Sequence, residues 1–143
     1  RDMMNKNQLD NDDKILKYID ENQVKILNFL EKITNIDTGT YCKESLDKLG
    51  NILAKKLEKI GFDINIIEEK RYGNHVLAKK EGSDKINILF VGHMDTVFSD
   101  GTVKDRPFKI EDEKVTGPGV YDMKGGITAL IFALESISYI YPD

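Results

Sequence analysis

Ile86-Asn87-Ile88-Leu89-Phe90-Val91 runs directly into Gly92-His93-Met94-Asp95-Thr96-Val97, and the fold turns on how these two hexapeptides are read. The first is apolar at all but one position and rich in β-branched and aromatic residues. A run without polar alternation predicts a strand covered on both faces in a mainly parallel sheet, with helices rather than water on each side. The second hexapeptide then falls at the carboxyl end of that strand, where ligands bind in open α/β sheets. If extended backbone persists to Asp95, side chains two apart project to the same side. The Asp95 carboxylate would then reach one ring nitrogen of His93 and leave the other free for a metal. A carboxylate behind a liganding imidazole fixes its tautomer and raises its basicity. The plainer alternative is a histidine at a strand end, satisfied by Asp95 and water.

Upstream, Asn11-Asp12-Asp13 offers a helix N-cap, and Ile15, Ile19, Ile26, Leu30 and Ile33 recur at helical spacing, which predicts one amphipathic helix. The Thr- and Gly-rich stretch from Ile36 to Tyr41 interrupts it. Leu46, Leu49, Leu53, Leu57 and Ile60 define a second helix that Gly61 closes. Phe62, Ile64 and Ile66 alternate with Asp63 and Asn65 as in a strand with one wet face. Arg71 to Asn74 reads as a turn and Val76 to Ala78 as another short strand. Beyond the central run, Asp100-Gly101 marks a turn, and Phe108 to Ile110 with Lys114 to Thr116 predicts a hairpin. A third helix, starting after Gly125-Gly126, carries Ile127, Leu130, Leu134, Ile137 and Tyr141. The expected architecture is α/β, a three-layer αβα sandwich with a mixed, mainly parallel sheet. The sequence stops at Tyr141-Pro142-Asp143, just after a helix whose apolar stripe needs strands to cover it, so it reads as cut.

With 143 residues, 40% hydrophobic and 32% charged, the composition is that of a soluble globular domain. No uninterrupted apolar run approaches the roughly 20 residues of a membrane span, so no transmembrane helix and no membrane partner are expected. Lys plus Arg number 21 against 25 Asp plus Glu, a net charge of -4 with no basic block, which argues against a nucleic-acid partner. The single cysteine, Cys42, cannot form an internal disulfide, and no basic segment precedes an apolar one at the start, so the cytoplasm is the expected location. Cys42 and His75 read as bystanders. The pairs Lys55-Lys56 and Lys79-Lys80 read as solvated faces.

Asp122 is the second acidic element, set between Gly117-Pro118-Gly119 and Gly125-Gly126. Alone it would be a helix N-cap. The flanking glycines also allow backbone close to a ligand, and the combination with His93 and Asp95 is what carries weight.

The ordered set Gly92-His93-Met94-Asp95-Thr96-Val97, Asp105-Arg106-Pro107-Phe108 and Gly117-Pro118-Gly119-Val120-Tyr121-Asp122-Met123-Lys124-Gly125-Gly126 resembles the signature of the co-catalytic zinc peptidases and deacylases. The Asn35-Ile36-Asp37-Thr38-Gly39-Thr40 segment and the Asp95-Thr96-Val97-Phe98 run look most similar to the glutamate carboxypeptidases of that family. The resemblance implies that His93 ligates one zinc, that Asp122 bridges two, and that Asp95 is the catalytic acidic residue orienting His93. Cobalt or manganese would serve as substitutes. It also implies a cis peptide between Asp122 and Met123; Phe108 and Lys124 match family positions and are assigned structural roles. The family's general-base glutamate lies in a Glu-Glu pair after the third helix. Here the one such pair, Glu68-Glu69, precedes His93.

Residues 1–143 would thus be the N-terminal portion of a zinc-dependent catalytic domain, without its lid and dimerisation domain and its C-terminal part. The implied activity of the whole is amide hydrolysis, as a carboxypeptidase releasing a C-terminal amino acid such as glutamate. The alternatives are an N-acyl amino acid deacylase and a non-catalytic binding module. The implied substrate is a small peptide or N-acyl amino acid. The 143 residues alone would be inactive, bind zinc weakly, and associate with another copy or with the rest of the chain through an uncovered apolar edge beside Ile86–Val91 or the third helix.

Overall fold

The computed structural model describes residues 6–82 and 88–142. Its elements are α1 (Lys6–Glu21), α2 (Gln23–Thr34), α3 (Lys43–Glu58), β1 (Asp63–Ile67), β2 (His75–Lys79), α4 (Thr102–Asp105), β3 (Lys109–Glu111), β4 (Lys114–Thr116) and α5 (Gly125–Ile140), with a loose helical turn at Val120–Lys124 before α5.

The apolar stripes of α2 and α3 meet as their spacing requires, but α5 buries Ile131 and Phe132 where Leu130, Leu134, Ile137 and Tyr141 were expected, and Ile137 and Tyr141 stand exposed. Leu30 and Ile33 of α2, Leu49 and Leu53 of α3, and Ile127, Ile131 and Phe132 of α5 form one buried cluster. Helix α5 is its centre. By length and composition the stretch Val120–Ile140 could cross a membrane, which the unbroken apolar runs do not reveal because Thr128, Glu135 and Ser136 punctuate them. Ile131 and Phe132, only 2% and 1% exposed, place α5 in the protein core, packed against α1 and α2.

The helix expected over Ile15 to Ile33 is two helices. Asn22, at φ -107 and ψ 11, leaves helical geometry, and its side-chain amide donates to the Tyr18 carbonyl at 2.8 Å. A short amide side chain that bonds nearby backbone competes with the helical ladder and ends it. Helix α1 also begins ahead of Asn11-Asp12-Asp13, so those residues lie within it rather than capping it. Helix α3 and its Gly61 terminus, with φ +89, are as expected.

β1 and β2 form an antiparallel pair from Asp63↔Lys79 to Ile67↔His75, and β3 pairs with β4 as the predicted hairpin. The central strand departs from expectation. Ile86 and Asn87 lie outside the described residues, and Ile88–Val91 join no ladder and stand exposed. A strand buried on both faces needs neighbouring strands alongside it, and among the described residues β1 pairs with β2 and β3 with β4 while neither pair adds Ile88–Val91 to its outer edge. The fold class is α/β, but the ladders among the described residues are antiparallel hairpins rather than a mainly parallel sheet. One parallel bridge joins Gly39 to Thr96.

Two polar ties hold the layers. The Glu135 carboxylate of α5 accepts from Tyr18 of α1 and pairs with Lys25 of α2 and Lys56 of α3. Lys56 is therefore a partly buried tie and not a solvated face. The other tie is Asp37, whose two oxygens accept the backbone N–H of Gly101 and Val103 at 3.0 and 2.9 Å, fixing the short α4 where only a turn was expected.

Candidate metal centre

Gly119, at φ +79, turns the chain into Val120–Lys124, and inside that turn Asp122 (φ -130, ψ 98) and Met123 (φ -133, ψ 31) are not helical. The Asp122–Met123 peptide is cis, as the resemblance implied. Asp122 caps no helix: Lys124 occupies the N-cap position of α5 and makes no side-chain cap bond. The Asp122 carboxylate points instead to His93, with Oδ1 3.0 Å from Nε2.

The other face of the ring meets Asp95. Nδ1 lies 3.2 Å from Asp95 Oδ1 and 3.0 Å from the Asp95 carbonyl oxygen. Strand geometry was the expected reason for this contact. The segment carries no ladder, and a different tie holds it: the Gly39–Thr96 bridge and a 2.7 Å bond from Thr96 N–H to the Thr38 carbonyl. The same approach lets the Thr40 hydroxyl donate to Asp95 Oδ2 at 2.6 Å. Sequence reasoning assigned Thr40 no task. Its one signal was membership of the Asn35–Thr40 segment, since partners 55 residues apart leave no periodic trace.

Burial lowers the affinity of the His93 ring for a proton, but the hydrogen bonds and charges of Asp122 and Asp95 outweigh it and hold the imidazole above its ordinary value. With an oxygen acceptor facing each nitrogen, the doubly protonated ring can donate both ways. A cation at Nε2 must displace one of those protons.

His93 and Asp95 open onto a cavity of about 700 Å³ that Thr40, Tyr72, His75 and Leu130 also line. His75, expected to be an ordinary surface histidine, stands exposed at the head of β2 on that cavity wall. A cavity of similar size, lined by Lys32, Glu44, Asp47 and Lys55, contains none of the three site residues. Cys42 is a free, half-buried thiol at the start of α3.

An imidazole nitrogen and a carboxylate oxygen 3.0 Å apart can share one cation, and this donor chemistry suits zinc. The pair is part of a site. Zinc usually takes three or four protein ligands, and among the described residues no group of three or more His, Cys, Asp and Glu is placed to hold a metal.

Helices against short strands make this an α/β domain, and its glycine-flanked carboxylate meets a histidine. Residues 89–139, which contain all three candidate site residues, match the model of peptidase family M20/M25/M40. The chain is 33% identical over 117 residues to carboxypeptidase G2 of Pseudomonas sp. (strain RS-16), a match covering 80% of this chain and 28% of that protein. To the succinyl-diaminopimelate desuccinylase of Buchnera aphidicola subsp. Cinara cedri (strain Cc) it is 34% identical over 128 residues, covering 82% and 31%. The chain therefore spans under a third of the length of these relatives. The fold matches human carnosine dipeptidase 1 with a TM-score of 0.81 at 22% identity, over 92% of this chain and 32% of that one.

Proposed function

We propose that the complete protein is a metal-dependent hydrolase of amide bonds, and that it acts as a carboxypeptidase releasing a C-terminal amino acid such as glutamate. The observation that carries this reading is the meeting of His93 Nε2 and Asp122 Oδ1 at 3.0 Å, with Asp95 on the opposite ring nitrogen.

In this reading His93 and Asp122 would hold zinc, with cobalt or manganese as substitutes, and Asp122 would be shared with a second ion. Zinc bound there would supply Lewis acidity for the scissile carbonyl and for an attacking water. The chain's own residues supply orientation. His93 offers the Nε2 lone pair only while its remaining proton stays on Nδ1, and Asp95 keeps it there by accepting it. The Asp122 side chain, 77% exposed, has little packing to hold it, so the turn at Val120–Lys124 sets its direction. Two donors are too few for tight zinc binding, which supports the expectation that residues 1–143 by themselves are inactive and bind zinc weakly.

A second reading, an N-acyl amino acid deacylase, is favoured by a desuccinylase relative as similar as the carboxypeptidase one, 34% against 33% identical. Zinc-loaded complete protein should be assayed on peptides ending in glutamate and on N-acetyl and N-succinyl amino acids, beside His93→Ala. Release of C-terminal glutamate, lost in His93→Ala, supports the carboxypeptidase, and turnover of acyl amino acids alone favours the deacylase. Absence of any metal-dependent turnover would leave only a non-catalytic binding module.

A further inference from the structure

We propose that Thr40 is a positioning residue for the metal centre: its hydroxyl fixes the Asp95 carboxylate and, through it, the ring that presents Nε2 to the cation. This rests on the hydrolase reading above. The chain of contacts runs from Thr40 Oγ1 to Asp95 Oδ2 at 2.6 Å, from Asp95 Oδ1 to His93 Nδ1 at 3.2 Å, and from His93 Nε2 to Asp122 Oδ1 at 3.0 Å. Each oxygen of Asp95 thus has one assigned partner.

The need for Thr40 follows from exposure. The Asp95 side chain is 35% exposed and that of His93 46%, so packing alone does not hold either. The terminal torsion of an aspartate is broad, and an untethered carboxylate at such a position is free to rotate toward water. A short hydroxyl-to-carboxylate bond is charge-assisted and among the stronger hydrogen bonds a side chain can make.

Thr40 can serve as that tether because its own backbone is fixed. Gly39 bridges to Thr96 and accepts from the Cys42 N–H at 2.8 Å, and Thr38 accepts from Thr96. The segment lies so close to its neighbour that a Cβ at Gly39 would stand 2.5 Å from the Phe98 carbonyl oxygen. The hydroxyl is therefore presented from a rigid strap. The Asp95 carbonyl also faces Nδ1, at 3.0 Å, so losing the hydroxyl weakens the ring's support without abolishing it. The expected effect is the lower part of the range for residues that support metal ligands, about tenfold.

The test uses the complete protein loaded with Co2+. Thr40→Val, nearly isosteric, should lose about tenfold in Co2+ affinity and in kcat at unchanged KM, with a shifted visible cobalt spectrum. Thr40→Ser keeps the donor and should return all three to within about twofold of wild type. Circular dichroism checks folding, and Thr40→Ala replaces the valine variant if that one unfolds. A donor-free variant that equals wild type in affinity and kcat overturns the proposal, as does a serine variant as impaired as the valine. If wild type itself neither takes up Co2+ nor hydrolyses any substrate, the hydrolase reading falls and carries this one with it. Metal-loaded, active wild type matched by Thr40→Val sinks the Thr40 role alone.

Discussion

The Lys124 ammonium donates a 2.8 Å hydrogen bond to the backbone carbonyl of Ile36, joining the turn that carries Asp122 to the segment that carries Thr40. Lys124 is completely buried, and its stem packs beside Gly119. A buried ammonium has lost its hydration and is charged only against that penalty.

That burial lowers the Lys124 pKa to about 8, the nearby Asp37 opposing it. Between about 8 and the ordinary 10.5, the unfolded chain holds a proton that the folded chain does not. Stability attributable to this group therefore rises with pH across that window, by up to about 3 kcal/mol. Lys124→Met keeps most of the stem volume and removes the titration. Urea denaturation from neutral pH to about 10.5 should reveal a wild-type gain, relative to the methionine variant, that grows with pH. A constant difference between the two would refute it.

Glu135 has its pKa lowered too, but by its partners rather than by burial. Burial pushes its carboxyl up, but the hydrogen bonds and charges of Lys25 and Lys56 outweigh burial and hold the group below its ordinary value. A depressed carboxylate contributes stability that is fully present above its unfolded pKa and is lost as pH falls through the folded one. Glu135→Gln leaves both lysines facing a neutral acceptor and should cost about 1–3 kcal/mol at neutral pH. The gap should narrow as pH falls below about 4, the ordinary carboxylate range. Equal acid sensitivity of the two proteins would count against the arrangement.

Spacing made α3 and the β3–β4 hairpin legible, because one buries a regular stripe and the other pairs across one short turn, whereas α5 was legible as a helix but not in its buried face, since apolar residues lie on most of its sides. His93, Asp95 and Asp122 were legible through the glycines around them and through their order along the chain. Interactions that exist only after helices meet were not. Lys56 sits beside Lys55 and reads as a solvated pair until Glu135 and the Phe132 ring, 4.5 Å from its nitrogen, come into place. The Ile88–Val91 run misleads for the converse reason. Apolar, β-branched composition reports a capacity to be buried in a sheet, while a ladder also needs the chain to bring a strand edge alongside, which composition does not encode.

Gly119 tests how far the site depends on its loop. A Cβ there would stand 2.7 Å from Thr96 Cγ2 and 3.2 Å from Lys124 Cδ, at a φ of +79. Gly101 has a similar φ of +88, but a Cβ there meets nothing within 4 Å. Gly101→Ala should therefore cost only the conformational penalty, about 1 kcal/mol. Gly119→Ala should cost more, about 2–4 kcal/mol, because clash adds to strain. Thermal melts of the two variants compare them directly, and equal losses would argue against the close approach of Thr96.

The protonation of His93 is the most direct check on the convergence of the three site residues. Against the opposing effect of burial, the Asp122 hydrogen bond contributes the largest upward shift, followed by Asp95. In metal-free protein the His93 ring, followed by NMR, should titrate above its ordinary 6.5. Asp122→Asn and Asp95→Asn should each lower the midpoint, the first by more. Because the folded value is raised, the associated stability is complete below 6.5 and disappears as pH climbs through the folded midpoint. Zn2+ competes with the same Nε2 proton, so its affinity should fall on acidification, beginning at a higher pH than for an unperturbed imidazole. A wild-type midpoint at or below 6.5, indifferent to both substitutions, would mean that residues 93 and 122 do not meet in solution, and the proposed cation position would lose its basis.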